Sequence, residues 1–442
     1  MFQTLRNAWK LADLRHKILY TGLIILIYRI GVAIPVPFLD SAQISSLTAL
    51  TEGSIFQYLN IMSGNALSTA TLFALGVSPY ITASIVIQLL GVVFPKLGEL
   101  SKQGEEGQKK INTYTRYATV ALALVTSIGY YMLLKNYGLW TKTTFFSAVV
   151  IVMCYCAGSA LVMWIAEKID NNGIGNGISM ILLANIISRG PAIVSSLWGY
   201  LSGPTTTTNA SGETVTISHA WGIVIAIAAV LVCVAMVLFI IFMTNSERRL
   251  PVQYAKRVVG RKMYGGQSST LPIKVNNTGV MPIIFASSIV SLPATIAIFC
   301  NVKEGSFWDK FFDFLSSGSW FYALMTFILI IAFAYFYVAI SFDPVEVSNN
   351  LKKNGGFIPG IRPGRPTSDY ISKILNRVTL IGAICLGIIA VIPLIINIAS
   401  GGVLSSLAFS GNSIIIVVGV VLETAREIEA QLTMRHYKGF LD

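Results

Sequence analysis

Residues 53–95 read GSIFQYLNIMSGNALSTATLFALGVSPYITASIVIQLLGVVFP, 43 positions without a single Asp, Glu, Lys or Arg. About 20 apolar residues in a helix cross a bilayer, so this run is long enough for two spans, or for one span and a further piece. A second uncharged run, the 45 residues from Val378 to Leu422, lies near the other end of the chain. Over all 442 residues, 54% are hydrophobic and 12% charged, whereas roughly a quarter of a soluble domain is charged. That composition does not fit a soluble enzyme. The class is an all-α protein that crosses a membrane many times.

Apolar runs place ten spans, near residues 18–36, 73–94, 117–135, 144–166, 176–195, 220–243, 276–300, 320–342, 378–396 and 403–422. Basic residues accumulate in cytoplasmic loops. With the N-terminus inside, 26 of the 32 Lys and Arg fall in cytoplasmic segments. Five (Lys135, Lys142, Arg189, Lys303 and Lys310) fall in outer loops or at outer span ends, and Arg29 lies within the first span. Both termini are therefore expected in the cytoplasm. The formal charge of +12 sits in loops that invite acidic partners and anionic lipid.

The same count decides how residues 53–95 are used, because two spans there would invert every later loop and put the basic 247–274 segment outside. The stretch 54–70, with Ser63, Gly64, Asn65, Ser68 and Thr69, should therefore enter from the outer side, turn and leave without crossing. Irregular polar backbone at membrane depth is tolerated only inside protein or a water-filled cavity. A short re-entrant helix in a cavity is expected; an amphipathic helix lying on the outer surface is the alternative.

The second part of that run opens with GVSPYITAS (Gly76 to Ser84), which returns as GVMPIIFAS (Gly279 to Ser287) with six of nine positions identical at an offset of 203. Span 2 runs inward and span 7 outward, so the match is the trace of an inverted repeat, five spans plus five. Gly, Pro and Ser at these openings suit close approach and local opening.

Little in the spans carries chemistry. Cys154, Cys156, Cys233, Cys300 and Cys385 all fall in apolar segments and indicate neither disulfides nor a zinc site. Three scattered histidines, no H-E-x-x-H and no phosphate-binding glycine loop leave no metal, cofactor or nucleotide site to propose. Paired residues for a membrane hydrolase are also lacking. Arg29, in YRIGVAIPVP, is either a cation snorkelling to an interface or a functional group. Ile81 with Ile85, and Leu182 with Ile186, form short aliphatic ladders one turn apart, a spacing that by itself favours lipid or core contacts over pore lining. The N-terminal MFQTLRNAWKLADLRHK has no small-residue cleavage site after it and reads as a retained cytoplasmic helix. Its apolar face is expected from Leu5, Ala8, Trp9 and Ala12, with Leu14 opposite.

Two cytoplasmic loops are too patterned to be simple connectors. Residues 247–274 alternate in short runs bounded by Gly and Pro, as a hairpin would. Residues 343–377 contain GFIPGIRPG, a shaped loop presenting Arg362 and Arg365.

YRIGVAIPVP, ALGVSPYITASIVIQLL, NNGIGNGISM, RRLPVQYAKR, YGGQSSTLPIKVNNTGVMPIIFASS and GGFIPGIRPG, in this order and each in its expected loop or span, make the chain resemble the SecY/Sec61-alpha family from end to end. The resemblance implies an hourglass pore between two pseudo-symmetric halves, residues 1–188 and 219–442, joined by an external hinge loop at 189–218. It implies a protein-conducting channel, not an enzyme, that passes unfolded secretory polypeptides and releases membrane segments sideways. The positions matching the family's aliphatic pore ring are Ile81, Ile85, Leu182, Ile186, Ile284 and Ile416, with Leu182 where isoleucine is expected. Residues 54–70, including Ser63, Gly64 and Asn65, match the plug. Gln88 and Asn276 match polar positions of the lateral gate. Lys256, Arg257 and Arg362 match residues that dock the motor ATPase SecA or the ribosome. SecE and SecG, two small membrane subunits, are implied as partners, with signal sequences and preproteins as substrates and the bacterial inner membrane as the location. A secondary transporter for small solutes is the rival class, and it would require ionisable coupling groups near mid-membrane that these spans lack.

Overall fold

A computed structural model describes residues 9–39, 63–136, 144–208, 214–254, 257–259, 262–264, 268–276, 279–293, 319–400 and 411–438, with Arg6 and Asn60. Over these residues the chain is mostly helical. The helices are α1 (Ala12–Val32), α2 (Ser78–Val93), α3 (Pro95–Lys102), α4 (Glu105–Asn136), α5 (Phe145–Asn172), α6 (Gly177–Ile187), α7 (Gly190–Ser202), α8 (His219–Asn245), α9 (Met281–Val290), α10 (Trp320–Ser341), α11 (Pro344–Lys353), α12 (Arg365–Ala399) and α13 (Gly411–Lys438).

Among the described residues, six helical stretches are long and apolar enough to cross a membrane: α4, α5, α6 with α7, α8, α10 with α11, and α12. Helices α2 and α9 are apolar but shorter. Helices α1 and α13 have the length, but Asp13, Arg15 and Lys17 charge one end of the first, and Glu423, Arg426 and Glu427 interrupt the second. The outer surface is apolar: Leu231, Leu238 and Phe242 of α8 are 65%, 62% and 72% exposed. Such a face needs lipid or another apolar partner as its solvent.

One apolar core draws side chains from α1, α2, α5, α6, α8, α9, α10, α12 and α13. A second, formed by Val36, Leu67, Ala70, Ala74, Tyr130, Leu134, Ile151 and Tyr155, joins the segment before α2 to α4 and α5. In that segment Asn60 and Ser63 are helical, residues 64–70, where the expected helix would continue, are a series of turns, and turns follow again after a bridge from Thr71 to Pro35. Its polar side chains bond to its own backbone, which competes with regular helix formation. Asn60 Oδ1 accepts from the Ser68 amide (3.1 Å), Ser63 Oγ accepts from the Leu67 amide (3.2 Å), and Thr69 Oγ1 donates to the Asn65 carbonyl (2.8 Å). Residues 54–59 lie outside the described part.

The two matched motifs open their helices with similar backbone. Helix α2 starts at Ser78 and α9 at Met281, the same offset of 203 as in the sequence, each with Pro in its first turn. Each is preceded by a glycine at positive φ, Gly76 (54°) and Gly279 (64°). A valine in the helical region follows each glycine, Val77 at φ −88° and Val280 at φ −92°.

Strands occur in the connections. The ribbon β1 (Thr205–Thr208) with β2 (Thr214–Ile217) follows α7. The expected hinge loop at 189–218 is thus a helix and a ribbon over its described residues, with Tyr200 buried against Ile217 and Ala226. Pro191 near the start of α7 favours the helix, since its missing N–H would be unpaired there anyway. The 247–274 segment holds β3 (Glu247–Tyr254), β4 (Arg257–Val259), β5 (Lys262–Tyr264) and β6 (Ser268–Lys274). As the alternation suggested, β3 and β6 pair antiparallel, with Leu250 opposite Leu271. The sequence did not indicate that β7 (Gly356–Phe357), from the other patterned loop, adds to the far side of β3 through Gln253 and Tyr254. Leu250, Val252, Ile273, Leu351, Ile358 and Ile371 close a small core beneath this sheet.

The N-terminal face is also corrected. Leu14 is buried with Ile174 and Ile428, flanked by Leu11 and Ile18, while Trp9 is half exposed. Leu5 and Ala8 lie outside the described residues. The cluster against α13 selects this face, and no single-helix pattern contains that information.

Candidate functional site

The six ring positions come from four helices. Ile81 and Ile85 sit one turn apart on α2, Leu182 and Ile186 one turn apart on α6, Ile284 on α9 and Ile416 on α13. Residues four apart share a helix face, and here both ladders face the same interior. Ile81, Ile85, Leu182, Ile284 and Ile416 are buried, at most 3% exposed, within one apolar cluster, and Ile186 packs against it. The four helices come from both early and late parts of the chain, and these aliphatic side chains offer no hydrogen bond.

A polar layer lies beside it. The guanidinium of Arg29 donates to the Ala184 carbonyl in the last turn of α6, where a cation complements the helix dipole. It is therefore held within the protein and does not snorkel outward. Asn185 Nδ2 donates to the Tyr28 hydroxyl (3.0 Å), and Tyr28 stacks on Phe73 at 5.5 Å. Gly64, at φ 67°, fits against this pair: a Cβ there would lie 2.8 Å from Asn185 Oδ1 and 3.0 Å from Arg29 Nη1. The turns at 63–70 are held from the other side by Tyr130 and Tyr155, whose hydroxyls donate to the Leu67 and Ala70 carbonyls. Ser63 and Gly64 are buried in this packing, and Asn65 is exposed.

Between the halves, α2 packs against α9. Gln88 Nε2 donates to Ser84 Oγ one turn earlier on the same helix (3.3 Å). Asn276 follows β6, and its Oδ1 is buried without a hydrogen-bond partner among the described residues. The two expected gate residues are thus not bonded to each other. Asn412, one turn before Ile416 on α13, donates from Nδ2 to Ser287 Oγ of α9 (2.8 Å).

The basic loops form a separate face. Arg362 and Arg365 are exposed. Ile358 anchors their loop in the core below the sheet. Ser348 Oγ donates to the Gly364 carbonyl and Thr367 Oγ1 to the Arg362 carbonyl, both at 2.8 Å, so the loop has a defined shape. Arg257 begins β4 and pairs in register with Tyr264; Lys256 lies outside the described residues. Among the described residues no group of three or more His, Cys, Asp or Glu is placed to hold a metal ion.

The SecY family profile matches residues 71–425. The chain belongs to the SecY family. It is 42% identical to the protein translocase subunit SecY of Streptomyces galbus over the full length of both chains, and equally to that of Mycobacterium tuberculosis. A solved protein-conducting channel superposes with a TM-score of 0.62 at 16% identity, covering 94% of this chain and 92% of the other. Sec61 from the canine ribosome-channel complex of the endoplasmic reticulum gives 0.59 over the same shares. This SecY-family chain is a multi-pass membrane protein with the fold of those channels.

Sequence reasoning missed Tyr28, Asn185, Ser287 and Asn412. A signal was present: an asparagine inside an apolar span is costly unless paired, and these two lie three and four residues from Leu182 and Ile416. Replacing Gly64 with alanine should cost about 1–2 kcal/mol from its left-handed backbone alone and loosen the turns at 63–70. The measurement is thiol labelling of a cysteine placed at Ser68, which is 2% exposed; labelling should rise in the double variant, and an unchanged rate would contradict this packing.

Proposed function

We infer that this SecY-family chain is the channel-forming subunit of a protein translocase, passing unfolded polypeptides across a membrane and releasing apolar segments into lipid. The observation that carries this reading is the convergence of Ile81, Ile85, Leu182, Ile186, Ile284 and Ile416, from four helices, in one apolar core. A ring without hydrogen-bonding groups lets an extended chain slide through without binding it, and dewetting resists ion flow when the ring is closed. The ring is the constriction of an hourglass pore with ten spans in two inverted halves, 1–188 and 219–442. The matched openings of α2 and α9 support that symmetry. The plug is the 54–70 stretch around Ser63, Gly64 and Asn65, seated on Arg29 and Asn185.

Opening is sideways, between α2 and α4 on one half and α9 and α10 on the other, about the hinge at 189–218. Gln88 and Asn276 line this gate, and an apolar signal-sequence core of roughly 7–15 residues would pass there into lipid. The chain sits in the bacterial inner membrane with both termini cytoplasmic, as the basic-residue count supports. Work is supplied by SecA or a translating ribosome, docking on Lys256, Arg257 and Arg362, where arginine suits carboxylate and phosphate. The canine Sec61 relative, solved in a ribosome complex, supports the ribosome as one such partner. SecE and SecG complete the channel, and anionic lipid surrounds the basic loops.

The direct test is crosslinking of a stalled secretory chain to single cysteines at the six ring positions; all should crosslink, and capture only by lipid-facing controls such as Leu231 would refute the pore. Ile416→Asn should hydrate the ring, raising ion leak and admitting substrates with defective signals, so an unchanged conductance counts against its place there. Arg362→Glu should weaken translocation while leaving membrane insertion of the channel intact; normal export would remove this loop from the docking face.

A further inference from the structure

The NNGIGNG turn, residues 171–177, joins α5 to α6 and is fastened to the opposite half. Gly175 takes φ 83°, which turns its amide toward α13, and Glu427 Oε2 accepts that N–H at 2.9 Å. Glu427 Oε1 accepts from Gln431 (3.2 Å), whose own Oε1 accepts from Lys17 of α1 (3.4 Å). Ile174 is buried with Leu14 of α1 and Ile428 of α13. Arg426, the residue before Glu427, donates to the Thr244 carbonyl and to Asn245 Oδ1 at the end of α8, both at 2.8 Å. The end of α13 therefore ties α6 to α8 at one end of the molecule. Ile416 and Glu427 are eleven residues apart, about three helical turns, and so share a face. That face meets Leu182 in the apolar core and the start of α6 at the turn.

We propose that Glu427 is a positioning residue for the constriction: its carboxylate, bonded to the Gly175 amide, sets α6 of one half against α13 of the other, and so keeps Leu182 and Ile186 closed on Ile416. This rests on the ring reading above. A carboxylate bonded to a backbone amide is a charge-assisted contact, and it acts through the rigid α6 without touching the translocating chain.

The experiment uses the full chain in lipid vesicles, with native cysteines replaced and spin labels on cysteines at the exposed Asn172 and Ala430. Pulsed electron resonance measures the distance across the latch, and bilayer conductance measures the closed channel. Glu427→Ala should lengthen and broaden the distance and raise resting conductance roughly tenfold, the factor matching loss of one such bond. Glu427→Gln, whose amide oxygen accepts the same N–H, should keep both near the parent values. An unchanged distance in Glu427→Ala overturns the latch, and so does a glutamine variant that behaves like alanine. A lengthened distance at unchanged conductance overturns the link from latch to ring; Ile416→Asn measured alongside then reports whether the ring reading itself stands.

Discussion

Inside a bilayer no water is present to satisfy backbone N–H and C=O groups, and the centre of this protein is organised around that constraint. Residues 63–77 are irregular and lie among helices. They are possible because the segment bonds to itself through Asn60, Ser63, Asn65 and Ser68, and because Tyr130 and Tyr155 reach in from α4 and α5 to its carbonyls. A helix would need no such help, and it would also have no reason to stay. A segment whose polar groups are supplied by neighbours is held only while those neighbours are in place.

The same constraint governs helix ends. Each helix leaves unpaired carbonyls at one end and unpaired amides at the other. Here contacts at helix ends and turns bind separate elements together: Arg426 takes the Thr244 carbonyl at the end of α8, Arg29 adds a bond to the Ala184 carbonyl, which already accepts from the Ser188 amide, and Glu427 takes the Gly175 amide in the turn before α6. The aliphatic cluster of Ile81, Ile85, Leu182, Ile284 and Ile416 has no directional contacts, because aliphatic side chains have none to make, so the directional bonds between these elements lie at helix ends and turns.

Much of this was legible in the chain. The uncharged runs led to a helical protein that crosses a membrane many times, and the backbone at Gly76 and Gly279 is alike, as the residues around them are. The alternation in RRLPVQY showed a strand, and β3 alternates buried Leu250 and Val252 with exposed Pro251 and Gln253. The failures have a common cause. Leu14 on the buried face of α1, β7 on the edge of β3, and the fastening of NNGIGNG to α13 all depend on a partner distant in sequence. The order found at 189–218 likewise comes from packing of Tyr200 against α8.

Hydropathy and charge are properties of each segment taken singly, and transfer from water to lipid is decided segment by segment. The sequence by itself therefore determined that the chain is a helical protein that spans a membrane many times. It did not determine which aliphatic residues meet at the centre. Lipid is as apolar as a core of isoleucine, so buried Ile81 and Ile416 and exposed Leu231 carry the same local signature. Only the tertiary structure, by bringing α2, α6, α9 and α13 to a common interior, distinguishes the two.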